Sequence, residues 1–542
     1  MLFMFLGTLC FSQEQGAKYL IITHDSYYSS IQPLAWWKHK KGVRTKVVKL
    51  SDIGSSPSAI RNYITDAYNT WPITPEFILL VGAPNYIPFS YISGTYTDNY
   101  YTNMDGDIYN EILSGRLTVH STAEAQTVVN KMLQYERTPD VTDTLWFIKG
   151  CLIVNEDYDS DDTIYWNDAK YVANYLVSNG YVQVDTFSAA QGDNAGSVIQ
   201  ATDNGRGFVM YRGSATNNWY YPFSVDPNSL ANGNKLPVVV SATCYTLGTG
   251  STPATAERWF LTGTPTTLRG ASGYFATTTG GYNMAHLRSA VARGFFNAIF
   301  GEGKRTFGEA CENGRQLVYA MYPYGGGAGE YYGFTTIGDP EMNIWTAVPQ
   351  PVEVIHASIL SVEAESLAVD VTSNDAPFGS ALVCVVLDTL VYEYGYTLPN
   401  GHIVFYFDTL VEGSMDITVT GRNIIPYEGV ITVEGSGTDV VPYENAMSGY
   451  VLEIKPNPCT YIARIKFEIS DVSEVDGDIA ITIYDVTGRS IRSFVSAHHS
   501  LQPTVFSWDC TDGSGHRCQP GIYFCQLKAG QKRYTEKLIL IE

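Results

Sequence analysis

Apolar runs of four to six residues alternate with amphipathic stretches through roughly the first two thirds of the chain. Tyr19 to Thr23, Thr45 to Leu50 and Phe77 to Gly82 read as buried strands, and Ile31 to Lys41 and Pro57 to Trp71 as helices between them. Ser121-Thr122-Ala123-Glu124 has the form of a capping box and predicts a helix to about Tyr135. A second series starts near Trp146, with strands at Cys151–Asn155 and Val182–Phe187 and helices at Asp168–Asn179 and Ala195–Asn204. Phe208 to Tyr211, Leu236 to Ser241 and Ala271 to Thr278 follow as further strands. Strand and helix in strict alternation predict parallel sheets with helices on both faces. From Pro351 the helical period is lost, and short alternating strands with turns such as Pro399-Asn400-Gly401 predict an immunoglobulin-like sandwich. The small, polar Gly435–Asp439 reads as a linker, and Val451 to Glu542 is again all-β. The expected organisation is two α/β subdomains, 17–140 and 141–346, followed by two β-sandwich domains, 350–435 and 445–542.

Composition sharpens this in a few places. A chain of 542 residues is too long for one core. A net charge of −21 excludes nucleic acid and anionic membrane surfaces as partners, since both need a basic face. The apolar run Leu2–Phe11 is too short to cross a bilayer and fits the core of a signal peptide over residues 1–13, a buried N-terminal strand being the other reading. No later stretch predicts a transmembrane anchor. Nine scattered cysteines form no zinc pattern. Cys510, Cys518 and Cys525 are close enough in sequence for a local disulfide in an oxidising compartment, whereas Cys151 and Cys244 are expected to stay reduced.

Candidate chemistry gathers at the carboxyl ends of the central strands, where open α/β sheets bind ligands. One strand stops at Arg212-Gly213-Ser214 and the next at Ala242-Thr243-Cys244. A thiol there suits nucleophilic catalysis, which needs no cofactor but does need a base and oxyanion donors. The blocks "GRGFVMYRGSATNNW", "LANGNKLPVVVSATC" and "GFTTIGDPEMNIW" resemble those of the gingipain-type cysteine peptidases, a caspase-like α/β fold. "KPNP", "ITIYDVTGRSIRSF" and "WDCTDGSGHRCQPGIYFCQL" resemble C-terminal sorting domains of the type IX secretion system. The resemblance implies a secreted or cell-surface protein that meets the type IX machinery and a protein or peptide substrate.

That resemblance also assigns roles. Cys244 matches the nucleophile, and Gly213 matches the context of the catalytic His. Ser214 stands where the His belongs, in a segment about one residue short. Glu156 is the nearest match to the acid that orients the His. The loop Thr279–His286, with Asn283 and His286, would line the substrate pocket, and His286 is the candidate replacement base. Tyr165 stands in place of the specificity acid. Three readings stay open: a working peptidase, a pseudopeptidase acting in binding or adhesion, and a structural cysteine. Arg206 and Arg212 read as substrate contacts or as partners of an acid such as Glu156. Separately, Asp98, Asp105 and Asp107, with Asn99, Asn103 and Asn110, form an oxygen-rich loop that could hold structural Ca²⁺, solvated caps being the alternative. Asp159, Asp161 and Asp162 form a similar loop.

Overall fold

The computed structural model describes residues 15–541 except 251, 282, 389, 436–449, 461, 470–478, 486–488, 497–503 and 530–531. The apolar segment 1–13 and all of the linker after Gly435 lie outside these residues. The chain divides into two compact units, 1–436 and 437–542.

In the first unit, ten strands form one sheet: β1 (Tyr19–Thr23), β2 (Thr45–Lys49), β3 (Phe77–Val81), β4 (Leu113–Leu117), β5 (Lys149–Val154), β6 (Gln183–Ser188), β7 (Phe208–Arg212), β8 (Val238–Ser241), β9 (Gly273–Thr277) and β10 (Phe334–Ile337). Their spatial order is β2-β1-β3-β4-β10-β9-β8-β7-β5-β6. Neighbours are parallel except β9 and β10, which pair antiparallel with Tyr274 opposite Ile337. The two expected parallel sheets are thus halves of one mixed sheet, joined edge to edge and running in opposite senses. The helices include α1 (Tyr28–Lys40), α2 (Pro57–Thr70), α3 (Thr122–Glu136), α4 (Asp162–Ser178), α5 (Ala195–Asp203), α6 (Thr255–Leu261), α7 (Ala285–Phe300) and α8 (Phe307–Met321), with further short ones at Leu50–Ile53, Asn99–Thr102 and Gly327–Gly333. At the start of α3, Ser121 accepts from the Glu124 amide at 3.2 Å, but Glu124 Oε2 accepts from His120 N, one residue earlier than a capping box requires.

Residue alternation in the strands explains why both faces are covered. Val209, Tyr211 and Val239 join one core cluster, while Phe208, Met210, Val238 and Val240 join the other. Full burial of such side chains stabilises by about 1.5–3 kcal/mol each before entropy is counted. The same unit contains a sandwich of two sheets built from eight main strands between Glu353 and Glu434, with Val369, Val383, Val385, Ile417 and Ile431 in its core. Its Glu428 pairs with Lys40 of α1 and with Arg137, so this sandwich packs on the α/β part.

The second unit holds a three-stranded sheet (450–455, 463–469, 504–508) and a four-stranded one (479–485, 490–496, 521–529, 532–540). Trp508, Ile481, Ile483, Leu527 and Leu538 fill its core.

Candidate active site

β9, β8, β7 and β5 are adjacent and parallel, so the loops at their carboxyl ends converge. Side chains fix the loop after β7. Asn155 Nδ2 donates to Tyr211 Oη (2.9 Å) and to Tyr220 O (3.0 Å), and Tyr211 Oη donates to Ser214 O (2.7 Å). Trp219 stacks on Tyr211 with ring centroids 4.5 Å apart, and its Nε1 donates to Ser241 Oγ at 2.8 Å. Gly213 has φ +152°, and a methyl group there would lie 2.6 Å from Asn155 Cβ, so glycine is required. Arg212 points beneath the loops. Its Nε donates to Asp168 Oδ2 (2.8 Å), Nη2 to Ala285 O (2.7 Å) and Nη1 to Ala242 O, tying β7, β8, α4 and α7 together.

Cys244 is partly exposed and lines a crevice of about 530 Å³. Its Sγ accepts a hydrogen bond from Arg288 Nη1 at 2.9 Å and lies 3.9 Å from Gly281 O. Arg288, in the first turn of α7, is only 4% exposed. Its Nη2 is 3.4 Å from Oε1 of Glu330, a fully buried carboxylate that also accepts from Thr279 Oγ1 at 2.9 Å. Burial works against the charge on Arg288, but Glu330 and Cys244 outweigh it and hold the guanidinium more firmly protonated than usual. The amide of Tyr245 is spent on Thr279 O (2.8 Å), which leaves the Gly213–Ser214 and Cys244 amides as the oxyanion donors to consider.

Asp157, Tyr165, Gly213, Ser214, Asn283 and Arg288 all line this crevice with Cys244. Two expected residues do not. Glu156 turns away: its carboxylate accepts from Ser188 Oγ (2.6 Å), Trp166 Nε1 (2.9 Å) and Ala190 N (3.2 Å). Burial raises its pKa, but those hydrogen bonds prevail and set it below the usual value. The acid that reaches residue 214 is Asp157, whose Oδ2 accepts from Ser214 Oγ at 3.2 Å. Burial, then repulsion from Asp159, pushes the Asp157 carboxyl up. His286 is exposed and meets the edge of Tyr322, ring centroids 5.0 Å apart. One residue is a 100° step around a helix, so Ala285 and Arg288 face the crevice while His286 is carried off it.

The arginines have structural partners. Arg206 pairs with Asp185 and Arg212 with Asp168, not with Glu156. Arg212 also lies over the Tyr165 ring, 5.1 Å from its centre. Asp98 is spent on Arg116, whose Nε (3.0 Å) and Nη2 (2.5 Å) grip both carboxylate oxygens. Asp105 and Asp107 come together with Glu111 instead, and both also cap local amides. Asp162 accepts from the Asp157 and Tyr158 amides at 3.0 Å, and Asp159 Oδ1 accepts from Asp161 N at 2.6 Å. Arg288, Glu330 and Asp157 carry the site's electrostatics without having been expected. No signal in the sequence marked Arg288, because its helix is buried on most of its surface.

The chain is similar to several known proteins. Gingipain R2 of Porphyromonas gingivalis is 24% identical over 97% of this chain and 68% of its own length. Gingipain R1 of the same organism is 25% identical over 68% of this chain, which spans 39% of that protein. A crystal structure described as the Arg-specific cysteine proteinase gingipain R superposes with a TM-score of 0.69 at 22% identity, covering 78% of this chain and 99% of that one. The model of the secretion system C-terminal sorting domain matches residues 453–542, which makes this a secreted or cell-surface protein. The peptidase family C25 model matches residues 12–345, the stretch that builds the ten-stranded sheet and the crevice around Cys244, and the chain therefore belongs to peptidase family C25.

Proposed function

We propose that this secreted member of the family uses its crevice to hold a polypeptide segment and hydrolyses it slowly or not at all. The observation that carries this reading is the partner of the cysteine. Cys244 Sγ is bonded to a guanidinium, and among the described residues no histidine lines the crevice. Peptide hydrolysis needs a group that takes the thiol proton and returns it to the leaving amine. Arginine stays protonated, and the hydroxyl of Ser214 is not a base near neutral pH. Arg288 would hold the sulfur in a charge-assisted hydrogen bond but would move no proton.

The gingipain relatives supply the substrate class, extracellular protein. One of them is described as Arg-specific, but Tyr165 in place of an acid argues against carrying that preference over. A working peptidase is the second reading, favoured by the contact of Ser214 with Asp157, an acid of raised pKa that would accept a proton through the hydroxyl.

The test is turnover of casein and of a peptide library by the purified chain and by Cys244→Ala, Asp157→Asn and Ser214→His. Binding without cleavage, with cleavage appearing in Ser214→His, is the expected result. Cleavage by the unmodified chain that is lost in both Cys244→Ala and Asp157→Asn would establish the second reading instead.

A further inference from the structure

The last unit contains four cysteines, Cys459, Cys510, Cys518 and Cys525, which allow six different single bridges. Their sequence spacing favours a bridge within 510–525. The fold favours another. Cys459 Sγ lies 3.8 Å from Cys510 Sγ, both side chains are at most 1% exposed, and both belong to the same core cluster. Thiol sulfurs in van der Waals contact need only small side-chain rotations to reach bonding distance. Cys525 is buried within the strand 521–529, and Cys518 is partly exposed in the turn that ends at Gly521.

We propose that Cys459 and Cys510 form a disulfide in the exported protein and that Cys518 and Cys525 remain thiols. The backbone around both residues gives the bridge something to fasten. Cys459 is stitched to the end of the chain, its N donating to Ile539 O and its O accepting from Ile541 N, each at 2.9 Å. Cys510 sits just past the strand 504–508, with φ +57°, and its O accepts from Cys518 N at 2.8 Å. The bridge therefore fastens the segment after Lys455 covalently to the turn at 509–518, with the final strand held to the same point by backbone hydrogen bonds.

The chemistry balances as thiol–disulfide exchange. The two thiols give two protons and two electrons to a protein disulfide of the oxidising compartment, which leaves as a dithiol while the Sγ–Sγ bond forms. Once the domain has folded, burial first and Cys459 second push the Cys510 thiol up to about 12, so little thiolate is available. The bond then forms during folding, before the core closes.

The full chain is exported to an oxidising compartment, purified without reductant, alkylated in denaturant and digested with trypsin. Cleavage after Arg422, Arg464, Arg492, Arg517 and Lys528 separates the cysteines into fragments 423–464, 493–517 and 518–528. The expected product is 423–464 linked to 493–517, released by reduction, with fragment 518–528 carrying two alkyl groups. Alkylated Cys459 and Cys510, or a link from 493–517 to 518–528, would overturn the proposal. As a second readout, protein refolded with reductant should show a sorting-domain melting transition roughly 10 °C below that of the oxidised protein. An unchanged transition would also count against the bridge.

Discussion

At Cys244 a single side chain changes what the crevice can do. In a cysteine peptidase the residue beside the sulfur exchanges protons with it; here that neighbour is Arg288, locked by buried Glu330. The guanidinium donates a charge-assisted hydrogen bond to the sulfur without ever relaying a proton. Replacing it by methionine keeps the length and removes the charge. Arg288→Met should slow alkylation of Cys244 by iodoacetamide at pH 7 by about an order of magnitude, with Arg288→Lys intermediate. Timed mass spectrometry of the alkylated peptide measures this, and equal rates in all three proteins would mean that the contact has no effect on reactivity. A second residue-scale prediction concerns Gly213. A methyl group there meets Asn155 Cβ at 2.6 Å and Tyr211 Oη at 2.9 Å, inside a rigid, buried arrangement. Gly213→Ala should cost about 2–3 kcal/mol in urea denaturation, combining backbone strain with overpacking.

At the scale of elements, the strands were the most legible part of the chain. β7 and β8 are buried on both faces, so they appear in sequence as unbroken apolar runs, and Cys244 at the end of β8 could be placed from that alone. Helices α7 and α8 were harder to read. Twelve of the sixteen residues of α7 are buried, so it lacks the polar stripe that marks an amphipathic helix, and the facing of His286 and Arg288 could not be read. Glu156 and Asp157 are neighbours with opposite facings, and sequence offers no way to choose between them before the loop is seen. The short helix α6 adds a pH-dependent element. Glu257, 1% exposed, accepts from the amides of Gly248 and Ala254 and so clips the loop that follows Cys244. Burial outweighs those hydrogen bonds and pushes its carboxyl up to about 7 from 4.5. The folded chain therefore keeps a proton that the unfolded chain releases between these values. This group's contribution is full below about pH 4.5 and is lost as the pH rises through about 7. Glu257→Gln should flatten the fall in melting temperature across that window, and a slope unchanged by the substitution would refute the assignment.

At the scale of the whole molecule, a buried charge cluster joins parts that are far apart in sequence. Lys38 of α1 meets Glu136 (2.6 Å), Asp339 (2.6 Å) and Glu341 (2.7 Å), and Lys41 meets Glu136 (2.6 Å) and Glu341 (2.7 Å). Three acids face two lysines, and the two glutamates respond differently. Burial raises both glutamates, but at Glu136 the two lysines prevail and hold it far below the usual range, whereas Glu341 stays raised. Glu341→Gln, which removes a charge that burial disfavours, should change stability by under about 1 kcal/mol. Glu136→Gln should cost about 3–5 kcal/mol, because it strips the charge that both lysines share. Equal losses in denaturant titrations of the two variants would mean that the lysines lean on both glutamates alike. This cluster lies within residues 15–435, as do the crevice and the first sandwich. The two compact units therefore divide the work, one forming the crevice and the other matching the sorting family. A chain ending at Gly435 should keep the melting transition of the first unit and the reactivity of Cys244, yet accumulate inside the cell while the full chain reaches the surface. Fractionation and surface labelling in a host with the type IX system decide this. Surface display of the shortened chain at the full-length level would remove the sorting role from residues 453–542, and loss of the first unit's transition would show that the two units fold as one.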